Sequence, residues 1–580
     1  MSKLLKLLLT AIVIVSVDVL CVTDAKNYYV GFTVTPVGGE GYSGDEQGLK
    51  TALANAGASD VVYIAKGCKF YLNEQLTVKT RMVGGCNPTG DGSQRTAIGS
   101  SSSITDSMTV LDGNSLRHPL RSEKHRVATV NTNGIIENCL IRNGHARGTT
   151  NDSNDLNGHG GGVLLNGGKL YNCIIRGNVA MNVQYQSSNK SSGGGVYITS
   201  NGGEIVNCVI AFNMDDKGVG IDGVSGEVAN STIAYNTQTP EWVNIPAGIF
   251  QHDSNGVGVI SLTGPHIYLD SFYIASTECT GGQYACFMAA IDFDGTTTPQ
   301  LLEIDRDSMV AAKAPVPAAY EGYPSGITVE KYAILAANKT NVTWSLLASK
   351  ASDTTTLRYG GCLTSESDRV WFPLADRTGT TTCGTEARRR DNYPVSFVTW
   401  YGGLAYSLWL GSCLPTEAQW EYAARQDAGG TNNSYLYAGS TTLNDVAWHS
   451  ANSGLSGNSI NVMAHEVAKK NSTSKGLHDM SGNVDEWCLD TYVSPYIFSA
   501  GKKELTVGTW LVSGNENNTG ATSGSPIYNP VAYTSSQTVY RVFRGGNYHK
   551  PASMSQLGYR SFYQITVLAQ GCGFRSVCYP

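Results

Sequence analysis

The chain has 580 residues, more than one ordinary hydrophobic core accommodates, so two or three domains are expected. Glycine (66) and tyrosine (31) are abundant and only 15% of residues are charged, a balance that suits turn-rich β architecture rather than helical bundles. A net charge of −6 gives no footing for nucleic acid or an anionic membrane as partner.

The first 25 residues read as a signal peptide. Lys3 and Lys6 start it, Leu7 to Val17 form its apolar run, and Thr23-Asp24-Ala25 is a small-residue exit. Asp18 interrupts a run already short of the ~20 residues that a membrane span needs. No later stretch is apolar and long enough to span. The expectation is therefore a secreted or cell-surface protein with no membrane span. Fourteen cysteines, all but Cys21 beyond this leader, fit an oxidising compartment. None has the paired spacing of a zinc site.

Between residues 27 and 255 the chain repeats itself. Gly161-Gly162-Val163-Leu164-Leu165 leads to Lys169-Leu170-Tyr171-Asn172-Cys173-Ile174-Ile175. Gly194-Gly195-Val196-Tyr197-Ile198 leads to Glu204-Ile205-Val206-Asn207-Cys208-Val209-Ile210. Copies stand at 134–141 and, more loosely, at 226–233. Short β-branched runs punctuated by glycine and asparagine at a regular period predict a solenoid, in which each unit buries its apolar face against the next. Asparagine recurs at Asn138, Asn172, Asn207 and Asn230, placed to hydrogen-bond along the stack. Cys139, Cys173 and Cys208 follow in step. Coils about 4.7–4.9 Å apart permit either a ladder of buried thiols or a disulfide.

This stretch resembles the right-handed parallel β-helix of bacterial surface proteins, and Asp60 to Gly67 with Val83-Gly84-Gly85 resembles the way such solenoids begin. Gly158-His159-Gly160 and Asp215-Asp216 look like two polygalacturonase signatures in reverse order. Inverting hydrolysis needs two facing carboxylate groups, no second acidic cluster accompanies them, and His159 reads as an exposed loop residue.

From residue 262 the sequence becomes tryptophan-rich and mixed α and β. His266 to Ile274 alternates like a strand, and Glu278-Cys279-Thr280 with Gln283-Tyr284 opens a helix. Tyr393 to Trp400 precedes a helix through Ala405 to Leu410. In Leu414-Pro415-Thr416-Glu417-Ala418-Gln419-Trp420-Glu421-Tyr422-Ala423-Ala424-Arg425 the threonine is a helix cap. Gly476 to Trp487 follows, and the end carries Arg544-Gly545-Gly546 and Gly573-Phe574-Arg575. Trp400, Trp409, Trp420 and Trp487 are expected in the core, and Arg544 and Arg575 are expected to organise the terminal strands.

In that order the motifs resemble the formylglycine-generating enzyme (sulfatase-modifying factor) family, a variant of the C-type lectin fold. The resemblance implies a multidomain chain: a parallel β-helix at 27–255, then an α+β formylglycine-generating-enzyme-like domain at 262–580. It also implies two copper-binding cysteines shortly after Arg-Gly-Gly, thiolates being suited to copper(I). Lys550 and Ser555 occupy those places, so no copper is expected. Cys572 and Cys578 do not match the motif, and one or both are expected in a disulfide. The family's calcium loop maps onto Asp479, Gly482, Val484 and Glu486, oxygen ligands of the kind calcium prefers. Carboxylates capping backbone N–H groups without metal are the other reading.

Residues 547–570 line the catalytic cleft in active relatives. Here Tyr548, His549, Lys550, Tyr559, Phe562 and Tyr563 suit a recognition surface. The Arg-Gly-Gly to Gly-Phe-Arg frame also resembles the variable proteins of diversity-generating retroelements, although Lys550, Met554, Gln556, Gln564 and Gln570 are not what mutagenesis of the usual asparagine-rich template yields. The sequence thus points to a non-catalytic binding protein with an unknown protein or glycan ligand. A formylglycine-generating enzyme with replaced residues, and an adhesin acting through the β-helix, are the alternatives.

Overall fold

The computed structural model describes residues 25–33, 39–89, 108–113, 124–148, 156–182, 190–223, 226–251, 266–290, 392–396, 398, 400–426, 435–454, 462–492, 540–564 and 571–578, with short strands at 357–358, 370–371, 511–512, 527–528 and 531–532. The expected signal peptide, apart from Ala25, lies outside these residues. The chain divides into two compact units, one of residues 1–239 with 285–300, the other of 240–284 with 301–580.

The N-terminal unit is a set of stacked parallel sheets. One repeat runs through strands Val163–Asn166, Lys169–Tyr171, Ile174–Arg176 and Val179–Asn182, each belonging to a different sheet. Every strand pairs in parallel with its counterpart one repeat on, as in Lys169↔Glu204, Leu170↔Ile205 and Tyr171↔Val206. Alternation along a strand then sends every second side chain inward. Ile136, Leu170 and Ile205 stack in one buried row, and Ile141, Ile175 and Ile210 in another. Cys139, Cys173 and Cys208 lie in the same core as free, buried thiols. Burial raises the pKa of Cys139 and Cys173.

The asparagines flagged by the repeat do more than hydrogen-bond along the stack, as Asn138 Nδ2 does to Gly84 O of the preceding coil at 2.9 Å. Asn138, Asn172, Asn207 and Asn230 all have positive φ, between 48° and 57°. They turn the chain from one sheet to the next, in the left-handed region that asparagine tolerates best after glycine. The hydrogen-bonded ladder is a separate series. Asn178 Nδ2 donates to Asn213 Oδ1 (2.9 Å), and Asn213 Nδ2 donates to Asn236 Oδ1 (3.1 Å).

At its first end the stack is covered by α1 (Glu46–Asn55), which buries Leu49, Ala52 and Leu53. Asp45 caps this helix, its carboxylate accepting from Gly48 N–H at 2.7 Å.

The C-terminal unit begins with antiparallel pairing. Trp242–Ile245 pairs with Phe272–Ala275, and Gly248–Gln251 with His266–Leu269. Residues 242–251, which the sequence reading gave to the repeat, therefore pair with the strands that follow them. The alternation read from His266 to Ile274 is split into two strands at Asp270 and Ser271.

Helices among the described residues that follow are α2 (Gly281–Ala290), which the division between the units cuts after Tyr284, α3 (Trp400–Leu410), α4 (Glu417–Ala424) and the short Leu443–Val446. Thr416 and Gln419 form a complete capping box at the start of α4. A mixed sheet closes the unit, in the order β3–β2–β1–β4, with β1 at Asp485–Thr491, β2 at Tyr540–Arg544, β3 at Arg560–Gln564 and β4 at Cys572–Gly573. Trp400, Trp409, Trp420 and Trp487 are fully buried. Indole N–H groups of Trp400 and Trp487 donate to the carbonyls of Cys488 and Val398, both at 2.9 Å. Cys572 and Cys578 are not bonded to each other. Cys572 lies on β4 beside β1, whereas Cys578 lies on a strand paired with Phe272–Ala275.

Candidate functional site

Two buried arginines organise the end of the chain. Arg544, at the end of β2, sends Nη1 to Glu417 Oε1 (2.6 Å) and Nη2 to Glu421 Oε2 (2.9 Å). Both glutamates project from α4, four residues apart and so on one helix face. Glu417 also binds Arg560 of β3 (2.7 Å), and Glu421 binds Arg425 (2.8 Å). Arg575 grips Glu486 with Nε and Nη2, both at 2.6 Å, while its Nη1 and Nη2 reach the carbonyls of Ala275 and His478. Trp420 Nε1 donates to the same Glu486 at 2.7 Å. Ion pairs of this kind offset the cost of burying the charges, although Arg544 Nε and both Arg425 Nη atoms have no hydrogen-bond partner.

The loop mapped to calcium is held from within. Both oxygens of Glu486 accept from the fixed cation Arg575, and Val484 N–H donates to Glu278 Oε1 at 2.9 Å. Asp479 accepts from Ala468 N–H through Oδ2 (2.7 Å), and its Oδ1 has no hydrogen-bond partner. Burial, opposed by the Ala468 hydrogen bond, raises the Asp479 carboxyl. Burial beside Asp479 and Glu486 also raises the Glu278 carboxyl. A calcium ion ligated by Glu486 would have to displace a buried guanidinium, so in this arrangement Asp479, Gly482, Val484 and Glu486 do not fit a calcium cage. Among the described residues, no group of three or more His, Cys, Asp or Glu side chains is placed to hold a metal.

The two positions that correspond to copper ligands sit beside this network. Lys550 Nζ pairs with Asp485 Oδ2 at 2.7 Å and lies 4.3 Å from the centre of the Phe543 ring. Asn547 Nδ2 donates to the same oxygen at 2.5 Å. Asp485 is wholly buried and its other oxygen has no hydrogen-bond partner. Burial pushes its carboxyl up to about 6 despite the ammonium beside it. Ser555 is also fully buried, its hydroxyl without a hydrogen-bond partner.

The six residues expected at a recognition surface divide. Tyr548 is completely buried in a small core with Ala464 and Val484, so it packs the domain and cannot contact a ligand there. His549 is mostly covered, and burial lowers it to about 4, a neutral ring. Lys550 is committed to Asp485. Tyr563 stacks on Phe543 at 4.8 Å. Tyr559 is half-buried and Phe562 is 40% exposed. Sequence reasoning missed Tyr492 and Tyr540, whose rings meet Phe562 at 4.2 and 5.0 Å. It also missed Glu417 and Glu421. Two carboxylates one helical turn apart in an otherwise apolar helix were the available signal.

On the N-terminal unit, Asp215 and Asp216 spend their carboxylates on structure. Asp215 accepts from the N–H groups of Gly194, Lys217 and Val219, and Asp216 from those of Asn182 and Ser191. His159 is half-buried rather than exposed, its ring tilted against Tyr197 at 4.4 Å with Nδ1 accepting from Ser192 N–H. Neither arrangement frees an acid–base pair for a sugar.

A capped, tryptophan-cored α+β unit closed by Arg-Gly-Gly and Gly-Phe-Arg strands defines the class. Residues 229–579 match the sulfatase-modifying factor enzyme 1-like domain, and the chain belongs to that family. The formylglycine-generating enzyme of Thermomonospora curvata is 33% identical over 117 residues, 18% of this chain and 36% of that protein. The inactive C-alpha-formylglycine-generating enzyme 2 of Mus musculus is 32% identical over 120 residues, 19% of this chain and 36% of that one. The alignments thus span just over a third of the length of these relatives. The family holds members named for the activity and a member named as inactive. Treponema denticola variable protein 1 matches 58% of this chain and 95% of its own at 20% identity and a TM-score of 0.27, a likeness too slight to carry argument.

Proposed function

We propose that the protein is an exported, cell-surface binding protein without catalytic activity. In this reading the stacked N-terminal unit is a right-handed parallel β-helix stalk. The C-terminal unit is a C-type-lectin-like domain whose final segment binds a protein or glycan ligand. The observation that carries it is the Lys550–Asp485 ion pair, with buried Ser555, at the places where resemblance to the family expects two copper-binding cysteines. An ammonium and a hydroxyl cannot hold copper(I) as thiolates do. The aromatic exposure around Phe562 supports recognition instead.

The test of non-catalysis is direct. The protein, supplied with copper and oxygen, is incubated with a peptide bearing the sulfatase recognition motif and followed by mass spectrometry. The cysteine thiol is expected to persist. Its loss at a rate above the protein-free control would overturn the reading. Sequencing the 3′ end of the gene across related isolates tests diversification. Substitutions crowded into codons 547–570, with Arg544 to Gly546 and Gly573 to Arg575 constant, are the expected pattern for a diversified receptor, and uniform codons would leave a fixed-ligand binder.

A further inference from the structure

The closing sheet ends on β3. In the order β3–β2–β1–β4 it is the outermost strand, and among the described residues no strand lies on its far side. Alternate N–H and C=O groups of such a strand point away from its neighbour and template the addition of another. Natural edges are commonly blunted by lysine, proline or a bulge. Arg560-Ser561-Phe562-Tyr563-Gln564 has none of these, and it pairs with β2 in unbroken register from Arg544↔Arg560 to Tyr540↔Gln564.

The side chains around this edge are aromatic, uncharged polar (Ser561, Gln564) or, for Arg560, already ion-paired. Phe562 is 40% and Tyr540 36% exposed, and with Tyr492 they form a contiguous aromatic cluster. The guanidinium of Arg560 reaches Glu417 through Nε and Nη2 and lies 4.9 Å from the centre of the Tyr492 ring. Glu417 is shared in turn with Arg544. An ionic ligand finds its counter-charges here already matched. An extended chain finds the outward backbone groups of Ser561 to Gln564, which no described strand pairs, and rings to receive alternate side chains.

We propose that β3 is a docking edge for an extended polypeptide segment, which adds as a further strand and sets alternate apolar side chains against Tyr492, Tyr540 and Phe562. This deepens, and rests on, the reading of the C-terminal segment as the ligand-binding part. A polypeptide is favoured over a glycan because the edge supplies main-chain hydrogen bonding that only another main chain matches along its length.

The full-length protein is panned against a random-peptide phage library, and the enriched peptides are synthesised and read by hydrogen-exchange mass spectrometry. The expected result is slowed exchange within 560–564 and apolar residues at alternate peptide positions. Phe562→Ala is expected to weaken binding by roughly tenfold or more. N-methylating alternate peptide amides should do the same, because it removes the strand hydrogen bonds without touching the protein.

Protection confined to 547–559, with Phe562→Ala silent, overturns the edge while leaving C-terminal binding intact. Protection only in the N-terminal unit overturns both readings. Protection of 560–564 that follows protein concentration without peptide marks a second copy as the occupant and overturns a foreign polypeptide. Failure to enrich any peptide does so as well.

Discussion

Lys550 is the residue on which the functional reading turns, and its surroundings assign it a structural debt first. The Asp485 carboxylate is buried, accepts from Asn547 and has the Lys550 ammonium as its neighbouring cation. Removing one partner of a buried pair typically costs about 3–5 kcal/mol, because the other charge is left without compensation. Lys550→Met is therefore expected to destabilise the C-terminal unit by about 3 kcal/mol in chemical denaturation. Adding Asp485→Asn should recover more than half of that loss, since the amide oxygen still accepts from Asn547. If Lys550 were held chiefly for a ligand, the single change would leave stability within about 0.5 kcal/mol and move only binding.

At the scale of elements, repeated strands and corners divide the labour between two asparagine series. Asn172 and Asn207 turn corners at φ 52° and 55°. Asn213 is a ladder residue: its Oδ1 accepts from the Asn178 backbone and side chain, and its Nδ2 donates to Ile175, Ala211 and Asn236. Asn207→Gly is expected to be near neutral and Asn207→Ala to cost about 1 kcal/mol, the penalty of a left-handed β-carbon. Asn213→Ala should cost about 2–4 kcal/mol through unsatisfied buried partners, and Asn213→Gly should rescue nothing. Equal responses to alanine and glycine at Asn207 would sink the corner assignment.

The same contrast shows what was legible in the sequence. Repeat period, strand positions and the Thr416 cap are local properties, written in consecutive residues, and the structure places strands and cap where the spacing puts them. The role of Asn172 was misjudged because a recurring side chain does not reveal whether its backbone or its amide is being used. Tyr548, Glu417 and Glu421 escaped for a related reason: nothing local marks an aromatic or an ion as buried, and the glutamates' Arg544 partner lies more than a hundred residues away. The aromatic cluster was half visible, since Phe562 stands in the closing segment while Tyr492 and Tyr540 precede it.

For the whole molecule, the two units differ in how far apart in sequence their partners lie. In the N-terminal unit the stack forms between adjacent repeats, with contacts such as Cys173 to Cys208 closing 35 residues. In the C-terminal unit Asn483 reaches Glu278 across 205 residues, and Arg575 reaches Ala275 across 300. Closing longer loops costs more entropy before any contact stabilises them, and non-local contacts slow folding. Repeats propagate from neighbour to neighbour once one pair has formed. After dilution from denaturant, pulsed hydrogen exchange should therefore show amides of 163–176 and 204–211 protected before those of 272–275 and 485–488, by roughly tenfold or more in rate. Simultaneous protection would mean that the units fold as one cooperative body, and early protection of 485–488 would mean that the closing sheet forms without its distant partners. Protection of the repeats first would argue that the N-terminal unit folds independently of the C-terminal one, as the proposed stalk requires.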